Sequence, residues 1–222
     1  LPMILEQIKA ALNDLANEDK ANIYARFFKT GKGEYGEGDT FLGVTVPHQH
    51  LVAKEYFNQI SLNGIGKLLT INIHEYRLTA LIMLVYQFEK KKNTDSQKEI
   101  VEFYLNHTKY INNWDLVDTS CYKILGRYCF HHNQEQILYD LAQSENLWEK
   151  RIAIVSTLYF IKKKFLNITT EIVLMNMHHR HDLMHKANGW MLREMGKIDE
   201  EKLIIFLDAY TTKLPRITLR YA

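Results

Sequence analysis

Residues 146–161 of the chain read Asn-Leu-Trp-Glu-Lys-Arg-Ile-Ala-Ile-Val-Ser-Thr-Leu-Tyr-Phe-Ile. The apolar residues of this stretch recur at helical spacing, and Asn146 is of a residue type that caps helix N-termini. We therefore predict a long helix that begins near Asn146. Similar long patterns begin near His74, Asn112 and His181, so that the four starts are separated by 38, 34 and 35 residues.

Each long pattern is followed by a shorter helical pattern, and these begin near Asp95, Asn133, Ile168 and Asp199. Asp95 and Asp199 are plausible N-caps, like Asn146. A helix pair repeated every 34 to 38 residues is typical of helical repeat proteins, in which each pair packs against the next. We predict an all-α fold, a curved stack of antiparallel helix pairs. An irregular helical bundle is the second choice.

The composition supports a helical protein. The chain has 222 residues, of which 46% are hydrophobic, with 10 Gly and 3 Pro. Sandwiches and barrels need more turn-forming residues than this, and a disordered chain would have fewer apolar ones. No apolar run reaches the roughly 18 residues of a membrane span. We therefore expect no membrane association.

The two cysteines, Cys121 and Cys129, are too few for a disulfide framework and lack a second ligand cluster for zinc. No secretory signal is visible at the start of the sequence. Both observations favour a reducing cytoplasm.

The charges are unevenly distributed along the chain. Residues 1–150 hold 16 Lys and Arg against 19 Asp and Glu, whereas residues 151–222 hold 12 against 7. A polyanion would be attracted more strongly to the C-terminal third. Chance unevenness of a solvated surface explains the same numbers equally well. The lysine runs at 90–92 and 162–164 end long helices, where solvated helix ends are favoured over phosphate contacts.

The segment between residues 31 and 43 is rich in glycine, but its glycines lack the spacing of a P-loop and no strand precedes them. A phosphate-binding role for it is not favoured. Pro47 suits the first turn of a helix over residues 48–59.

The segment Asn112–Asp118 contains the first candidate site. In a helix, Trp114 and Asp118 project from the same face because they are four residues apart. Asp115 falls in the first turn, where a capping charge is its simplest role. Taken alone, the Trp-x-x-x-Asp pattern favours a structural role. The residues expected to pack inward are Leu116, Val117 and Cys121.

Two further helices carry candidate DNA contacts. Trp148 is expected to pack into the core, whereas Arg151 is of a type that matches phosphate geometry. Gly189 lies inside a predicted helix at a cost of about 1 kcal/mol, which indicates a close approach by another group. Trp190 and Arg193 beside it are suited to contact a sugar or base and a phosphate.

Four histidines cluster at His178, His179, His181 and His185. His181 and His185 are four residues apart, a spacing that can bind a metal on one helix face. The glutamate of a His-Glu-x-x-His motif is absent, so a metal enzyme is not favoured. We expect histidines of a loop and a helix start, and no metal.

Together, these segments resemble the AlkD family of DNA glycosylases, which remove alkylated bases from DNA. The matching signatures are Trp-Asp-x-Val-Asp at 114–118, Trp-x-x-Arg-x-Ala-Ile at 148–154 and Lys-Ala-x-Gly-Trp-x-Leu-Arg-Glu at 186–194. Phe-Leu-Gly-Val at 41–44 is similar to the N-terminal loop of the family, and residues 214–222 resemble a branch ending in Pro-Arg-x-x-Leu-Arg-Tyr-Ala. The resemblance covers almost the whole chain in order.

The resemblance implies a fold and a set of functional residues. The expected fold is an α-α superhelix of HEAT-like helix pairs, a single domain over residues 1–222 with a basic concave face that binds DNA. A monomer is expected, associated with the nucleoid when bound to DNA. By position, the catalytic residues are Asp118, Trp114 and Trp190, and the DNA contacts are Arg151, Arg193 and Lys186.

The resemblance also implies a reaction: members act on cationic N3- and N7-alkylated purines in duplex DNA, without metal or cofactor and without flipping the base. A cationic purine is already a good leaving group, so the reaction needs no general acid. Positive charge then develops on the deoxyribose. A carboxylate such as Asp118 can stabilise that charge and orient water, and the tryptophans can attract it through their ring faces.

Two residues depart from the family pattern. Phe27 stands where a tyrosine is frequent, and Leu183 stands where an aromatic residue is frequent. Two other interpretations stay open at this point. In the first, the chain is a catalytically silent paralogue that binds DNA structures. In the second, it is a HEAT-like scaffold for protein interaction whose tryptophans serve only in packing.

Overall fold

The computed structural model describes residues 2–222, except for the side chain of Pro2. Every regular element within this range is helical, which confirms the all-α fold class. The chain divides into two compact units, one up to Ser120 and the other from Cys121 on. Within residues 2–222, no helix combines the length and the apolar character needed to cross a membrane. The assignment of residues 1–222 to one domain stays a prediction.

The first unit is built around one long buried helix, α5, against which α3 and α4 pack. Residues on all sides of α5 are buried, including His74, Glu75 and Arg77 in its first turn. Polar groups at such a depth need partners, and the segment before α3 supplies several of them. The helices of this unit are α1 Pro2–Asp14, α2 Glu18–Phe27, α3 Val46–Tyr56, α4 Leu62–Leu69, α5 His74–Lys90, α6 Thr94–Asn106 and α7 Trp114–Cys121, the last ending at the unit boundary.

The second unit is built around α10, a long helix buried on most sides that packs against α9, α11 and α12. Trp148 is buried in its first turn, as predicted. A short helix, α14, packs closely on α12. The helices of this unit are α8 Arg127–His132, α9 Gln136–Gln143, α10 Leu147–Lys162, α11 Asn167–Asn176, α12 Asp182–Ile198, α13 Glu200–Tyr210 and α14 Arg216–Tyr221.

The predicted period of helix pairs is present. Long helices begin at His74, Leu147 and Asp182, close to the expected positions, and the helical segment that begins at Trp114 continues through a π-helical turn into α8. A shorter helix follows each of them. The helix expected at residues 48–59 spans Val46–Tyr56, with Pro47 in its first turn.

Two of the three predicted N-caps are confirmed. Asn146 accepts from the backbone N–H groups of Trp148 and Glu149, and Asp199 accepts from that of Lys202.

The prediction for Asp95 was wrong. Asn93 caps α6 by accepting from the N–H of Ser96, and Asp95 lies in the first turn. Asparagine and aspartate are both good caps, so residue type alone cannot choose between two positions so close in sequence.

The shorter helix expected near Asn133, α9, begins three residues later, at Gln136. Asn133 itself ends α8 in the left-handed region, at φ 53°. Asparagine tolerates this conformation better than most residues, which makes it a helix terminator here.

A π-helical turn at Tyr122–Gly126 connects α7 to α8. Gly126 lies against α10, where a Cβ atom would come within 3 Å of the backbone oxygen of Ser156. The wider turn and the missing side chain together allow two helices to approach closely. The thiols of Cys121 and Cys129 are buried nearby and are not joined in a disulfide.

Candidate active site

The Trp-x-x-x-Asp pattern lies on α7 as predicted. Trp114 is the first residue of the helix and Asp118 follows one turn later on the same face; both side chains are partly exposed. Other residues of the helix anchor it in the core. The fully buried ones include those expected from the sequence, Leu116, Val117 and Cys121, together with Ser120.

The indole of Trp114 is held by aromatic side chains of the N-terminal segment. The ring of Phe28 is stacked on it, with centroids 5.3 Å apart, and Phe27 meets it edge-on at 6.0 Å. The indole N–H donates to the hydroxyl of Tyr35, at 3.3 Å. These contacts restrict the rotation of the indole while leaving part of it exposed.

A buried histidine connects this helix to α5. His74 is 2% exposed; its Nδ1 lies 2.7 Å from an oxygen of Asp39 and its Nε2 lies 2.6 Å from an oxygen of Asp115. Both ring nitrogens face carboxylates, so both must carry a proton to donate. Burial alone would lower the pKa of His74, but Asp115 and Asp39 outweigh it and raise the pKa to about 9.

Asp115 therefore does more than the capping role expected from its position. It lies in the first turn of α7 and accepts from the N–H of Leu116, while its second oxygen binds His74. The sequence indicates this pairing only weakly, since His74 begins α5 and Asp115 lies in the first turn of α7. No spacing rule could match them, because they are 41 residues apart.

The glycine-rich segment is a docking loop for α5. The buried carboxylate of Glu75 accepts from the backbone N–H groups of Leu42, Gly43 and Val44, at 2.9, 2.8 and 3.2 Å. Asp39, which lies earlier in the same loop, binds Arg77 as well as His74. The segment has no regular secondary structure, and these carboxylate contacts hold it against α5.

Gly43 is required by the path of this loop. Its φ is +81°, and a Cβ atom there would lie 2.0 Å from the backbone oxygen of Asn17. No L-residue fits this position without displacement of the backbone. The Phe-Leu-Gly-Val segment is therefore held against the start of α2 and the first turn of α5.

An apolar cleft of about 340 Å³ lies beside this cluster, between α2, α3 and the first turns of α5 and α7. Its walls are mostly aromatic and aliphatic, and His74 and Asp115 are among its polar lining residues. Phe27 is 62% exposed, so the surface next to Trp114 is apolar as well. The main aromatic lining residues are Tyr24, Phe27, Phe28 and Phe41.

In the second unit, the candidate residues of the third signature share one face of α12. Lys186, Trp190 and Arg193 follow one another at helical spacings of four and three residues. Arg193 is exposed, and Lys186 and Trp190 are partly exposed. This face therefore presents two cations on either side of an indole.

The close approach predicted at Gly189 is confirmed, and the approaching group is another helix of the chain. A Cβ atom at this position would lie 2.5 Å from the backbone oxygen of Thr218 and 2.5 Å from Cβ of Tyr221. The hydroxyl of Thr218 also donates to the backbone oxygen of His185. The C-terminal helix α14 is thereby packed against the side of α12 next to Trp190.

Arg151 lies deeper than a phosphate contact normally does. It is 5% exposed, and its guanidinium donates to the backbone oxygen of Leu183 at 2.5 Å. This bond uses the main chain of Leu183, so the replacement of a frequent aromatic residue there does not remove it. A DNA contact by Arg151 stays a prediction.

The histidine cluster forms hydrogen bonds around the start of α12. His181 is the N-cap and accepts from the N–H of Leu183 at 3.1 Å; His179 accepts from the N–H of His181, also at 3.1 Å. His185 donates to the backbone oxygen of His179. Burial and the charge of Lys150 lower the pKa of His179. Across residues 2–222, no three His, Cys, Asp or Glu side chains are arranged to hold a metal.

This helical fold is shared with a solved protein. A structure described as a predicted DNA alkylation repair enzyme from Enterococcus faecalis matches 93% of this chain and 94% of its own, with a TM-score of 0.73 and 17% identity. The family model of DNA alkylation repair enzymes matches residues 8–222, and the chain therefore belongs to that family. No curated protein matches it significantly in sequence.

Proposed function

We propose that the chain is a DNA glycosylase that hydrolyses the N-glycosidic bond of cationic N3- and N7-alkylated purines in duplex DNA. Asp118 stabilises the oxocarbenium-like transition state and positions the attacking water. Trp114 and Trp190 contact the deoxyribose, and the base is not flipped. The protein acts as a monomer in the cytoplasm, without metal or cofactor.

The observation that carries this proposal is the pairing of Trp114 and Asp118 on one face of α7. Both are partly exposed, and the indole is held in place by Phe28 and Tyr35. A carboxylate and the electron-rich face of an indole both attract a cation-like sugar. Preorganisation matters because groups that need no rearrangement stabilise the transition state most.

The chemistry needs few protein groups because the substrate is charged before it binds. Alkylation at N3 or N7 makes the purine a good leaving group, so a single carboxylate is sufficient. Trp190 is carried by the second unit, and its assembly with Trp114 and Asp118 into one site is part of the proposal. Lys186 and Arg193, which flank it on α12, are the proposed phosphate contacts.

Arg151 is assigned to the DNA-binding set by the family signature, and its burial suggests how it acts. Its bond to the carbonyl of Leu183 connects α10 to the first turn of α12. The proposed role is therefore to place α12, and with it Lys186 and Trp190, against the DNA.

A second group of cations in the second unit also supports DNA binding. Lys123 and Lys162 lie over the ring of Tyr122, at 5.6 and 4.8 Å from its centroid, and Lys163 lies 5.6 Å from that of Tyr159. These residues, together with Arg127 and His131, are called the basic-aromatic patch below.

The electrostatics of the basic-aromatic patch favour an anionic partner. Burial, and then the positive charges of Arg127, Lys163 and His132, lower the pKa of His131. Within residues 2–222, the carboxylates do not form salt bridges with Lys123, Arg127, Lys162 or Lys163. A DNA phosphate would relieve this repulsion, and such contacts carry no sequence preference.

The test is release of free 7-methylguanine and 3-methyladenine from methylated duplex DNA in single turnover. We expect Asp118→Asn to lower the rate at least 100-fold, since removal of one transition-state contact typically costs 100- to 1,000-fold. Asp208→Asn removes an exposed carboxylate of α13 and is the charge-matched control.

The alternatives give different results in this experiment. DNA binding without base release identifies a silent DNA-binding paralogue, and absence of DNA binding identifies a protein scaffold. Equal rates for Asp118→Asn and the control would exclude Asp118 as the catalytic carboxylate.

A further inference from the structure

The His74 side chain lies between two structural elements that converge on Trp114. From one side Asp39 of the glycine-rich loop binds Nδ1, and from the other side Asp115 of α7 binds Nε2. Asp115 is the residue directly after Trp114, so its position determines the position of the first turn of α7. A carboxylate tied at this point leaves that turn little freedom to rotate.

The imidazole is also part of the aromatic stack that holds the indole. Phe41 is stacked on His74 at a centroid distance of 4.6 Å, and Phe28 packs on it at 4.9 Å. Phe28 is in turn stacked on Trp114. His74 therefore reaches Trp114 by two routes, through the backbone next to Asp115 and through the ring of Phe28.

We propose that His74, as an imidazolium bound to Asp39 and Asp115, is a positioning residue that holds Trp114 and Asp118 in their reactive orientation. The inference rests on the glycosylase function proposed above and adds a residue that no signature contains. His74 is buried and acts through Asp115 and Phe28, so it does not touch the substrate.

The charges around His74 make this role depend on protonation. The groups that face it are Asp39 from the loop, Asp115 from α7, and Glu75 and Arg77 from its own helix. Arg77 binds Asp39, and Glu75 binds backbone N–H groups of the loop. A neutral imidazole has one N–H, so one carboxylate would then face a ring nitrogen lone pair at under 3 Å. We expect Asp115 to move when this happens.

The first experiment follows the indole itself and does not depend on activity. The chain has 3 Trp, and the ¹⁵N–¹H signal of the Trp114 side chain is identified by its absence in Trp114→Phe. We expect this signal to shift between pH 7 and pH 10, with a midpoint near the His74 pKa of about 9. The shift should persist in Tyr35→Phe, which removes the phenol bound to the indole, and vanish in His74→Gln. A pH-independent signal in the wild type overturns the proposal.

The second experiment separates positioning from general stability. We expect His74→Gln and Asp115→Asn to lower the single-turnover excision rate 10- to 100-fold, with DNA affinity changed less than threefold. The double variant should be no slower than the slower single variant, because both changes break one connection. Thr79→Val is the matched control: it alters a buried polar residue of the same helix that binds Gln49 of α3 and contacts neither the loop carboxylate nor Asp115.

The outcomes distinguish this inference from the proposed function. A wild type that releases no alkylated base refutes the function, while the titration of the Trp114 signal still tests the connection to His74. Full excision rates in folded His74→Gln or Asp115→Asn, or an equal loss in Thr79→Val, refute the positioning role and leave the function standing.

Discussion

The rings of Phe28 and Trp114 are stacked, with an interplanar angle of 26° and centroids 5.3 Å apart. Phe28 is the residue after α2, and Trp114 opens α7, so the contact joins the N-terminal segment to the candidate catalytic helix. Its neighbour Phe27 also meets the indole, but from the surface. Substitution of each phenylalanine in turn therefore compares the energetic effect of a buried contact with that of an exposed one.

We expect Phe28→Ala to lower the free energy of unfolding by about 3 to 5 kcal/mol, because Phe28 is 8% exposed and the change leaves a cavity. Phe27→Ala should change it by less than about 1 kcal/mol, since that ring is mostly exposed. Urea denaturation of both variants measures the difference. Equal decreases in the free energy of unfolding would show that the stacked ring of Phe28 does not stabilise the core.

Stability should depend on pH through His74. The folded-state pKa, about 9, is above the ordinary value of 6.5, so this stabilisation is complete below pH 6.5 and is lost as the pH rises through 9. The shift corresponds to about 3 kcal/mol. We expect the free energy of unfolding of the wild type to fall by this order between pH 6.5 and 10, relative to His74→Gln. Parallel curves for the two proteins would contradict the assignment.

DNA affinity should depend on salt through the basic-aromatic patch. Each phosphate contact contributes about 0.9 to the slope of log K against log salt concentration. We expect substitution of Lys123, Lys162 and Lys163 by Gln to reduce the magnitude of that slope by about 2 to 3. Substitution of the lysine run 90–92 removes the same charge from the end of α5 and should leave the slope nearly unchanged. Titrations at several salt concentrations measure both, and identical slopes would exclude the patch from the interface.

The packing of α14 on α12 should make Gly189 intolerant of any side chain. Alanine has the better helix propensity by about 1 kcal/mol, but its Cβ would overlap the backbone of α14. We expect Gly189→Ala to lower the free energy of unfolding by about 1 to 3 kcal/mol. Gly196→Ala is the control, since its Cβ would meet the flexible end of the Leu203 side chain. Thermal unfolding compares the two, and a stabilised Gly189→Ala protein would refute the close packing.

Local patterns in the sequence were sufficient for the helices and for one half of the candidate site. Helical spacing and the caps Asn146 and Asp199 depend only on residues a few positions apart in the chain. Such features can therefore be recognised from the sequence. Trp114 and Asp118 share a face of α7 for the same reason, the period of the helix. Where two residues of the same capping type lay close together, as at Asn93 and Asp95, local patterns chose the wrong one.

Only the tertiary structure decided what surrounds those residues. His74 meets Asp39 and Asp115, which are 35 and 41 residues away in the chain, and Glu75 meets the loop at Leu42, 33 residues away. Contacts at such separations follow from the packing of helices, and no period or spacing rule encodes them. The sequence by itself determined the helical class and the Trp114–Asp118 face. Packing decided that the buried His74 and the glycine-rich loop meet at the first turn of α7.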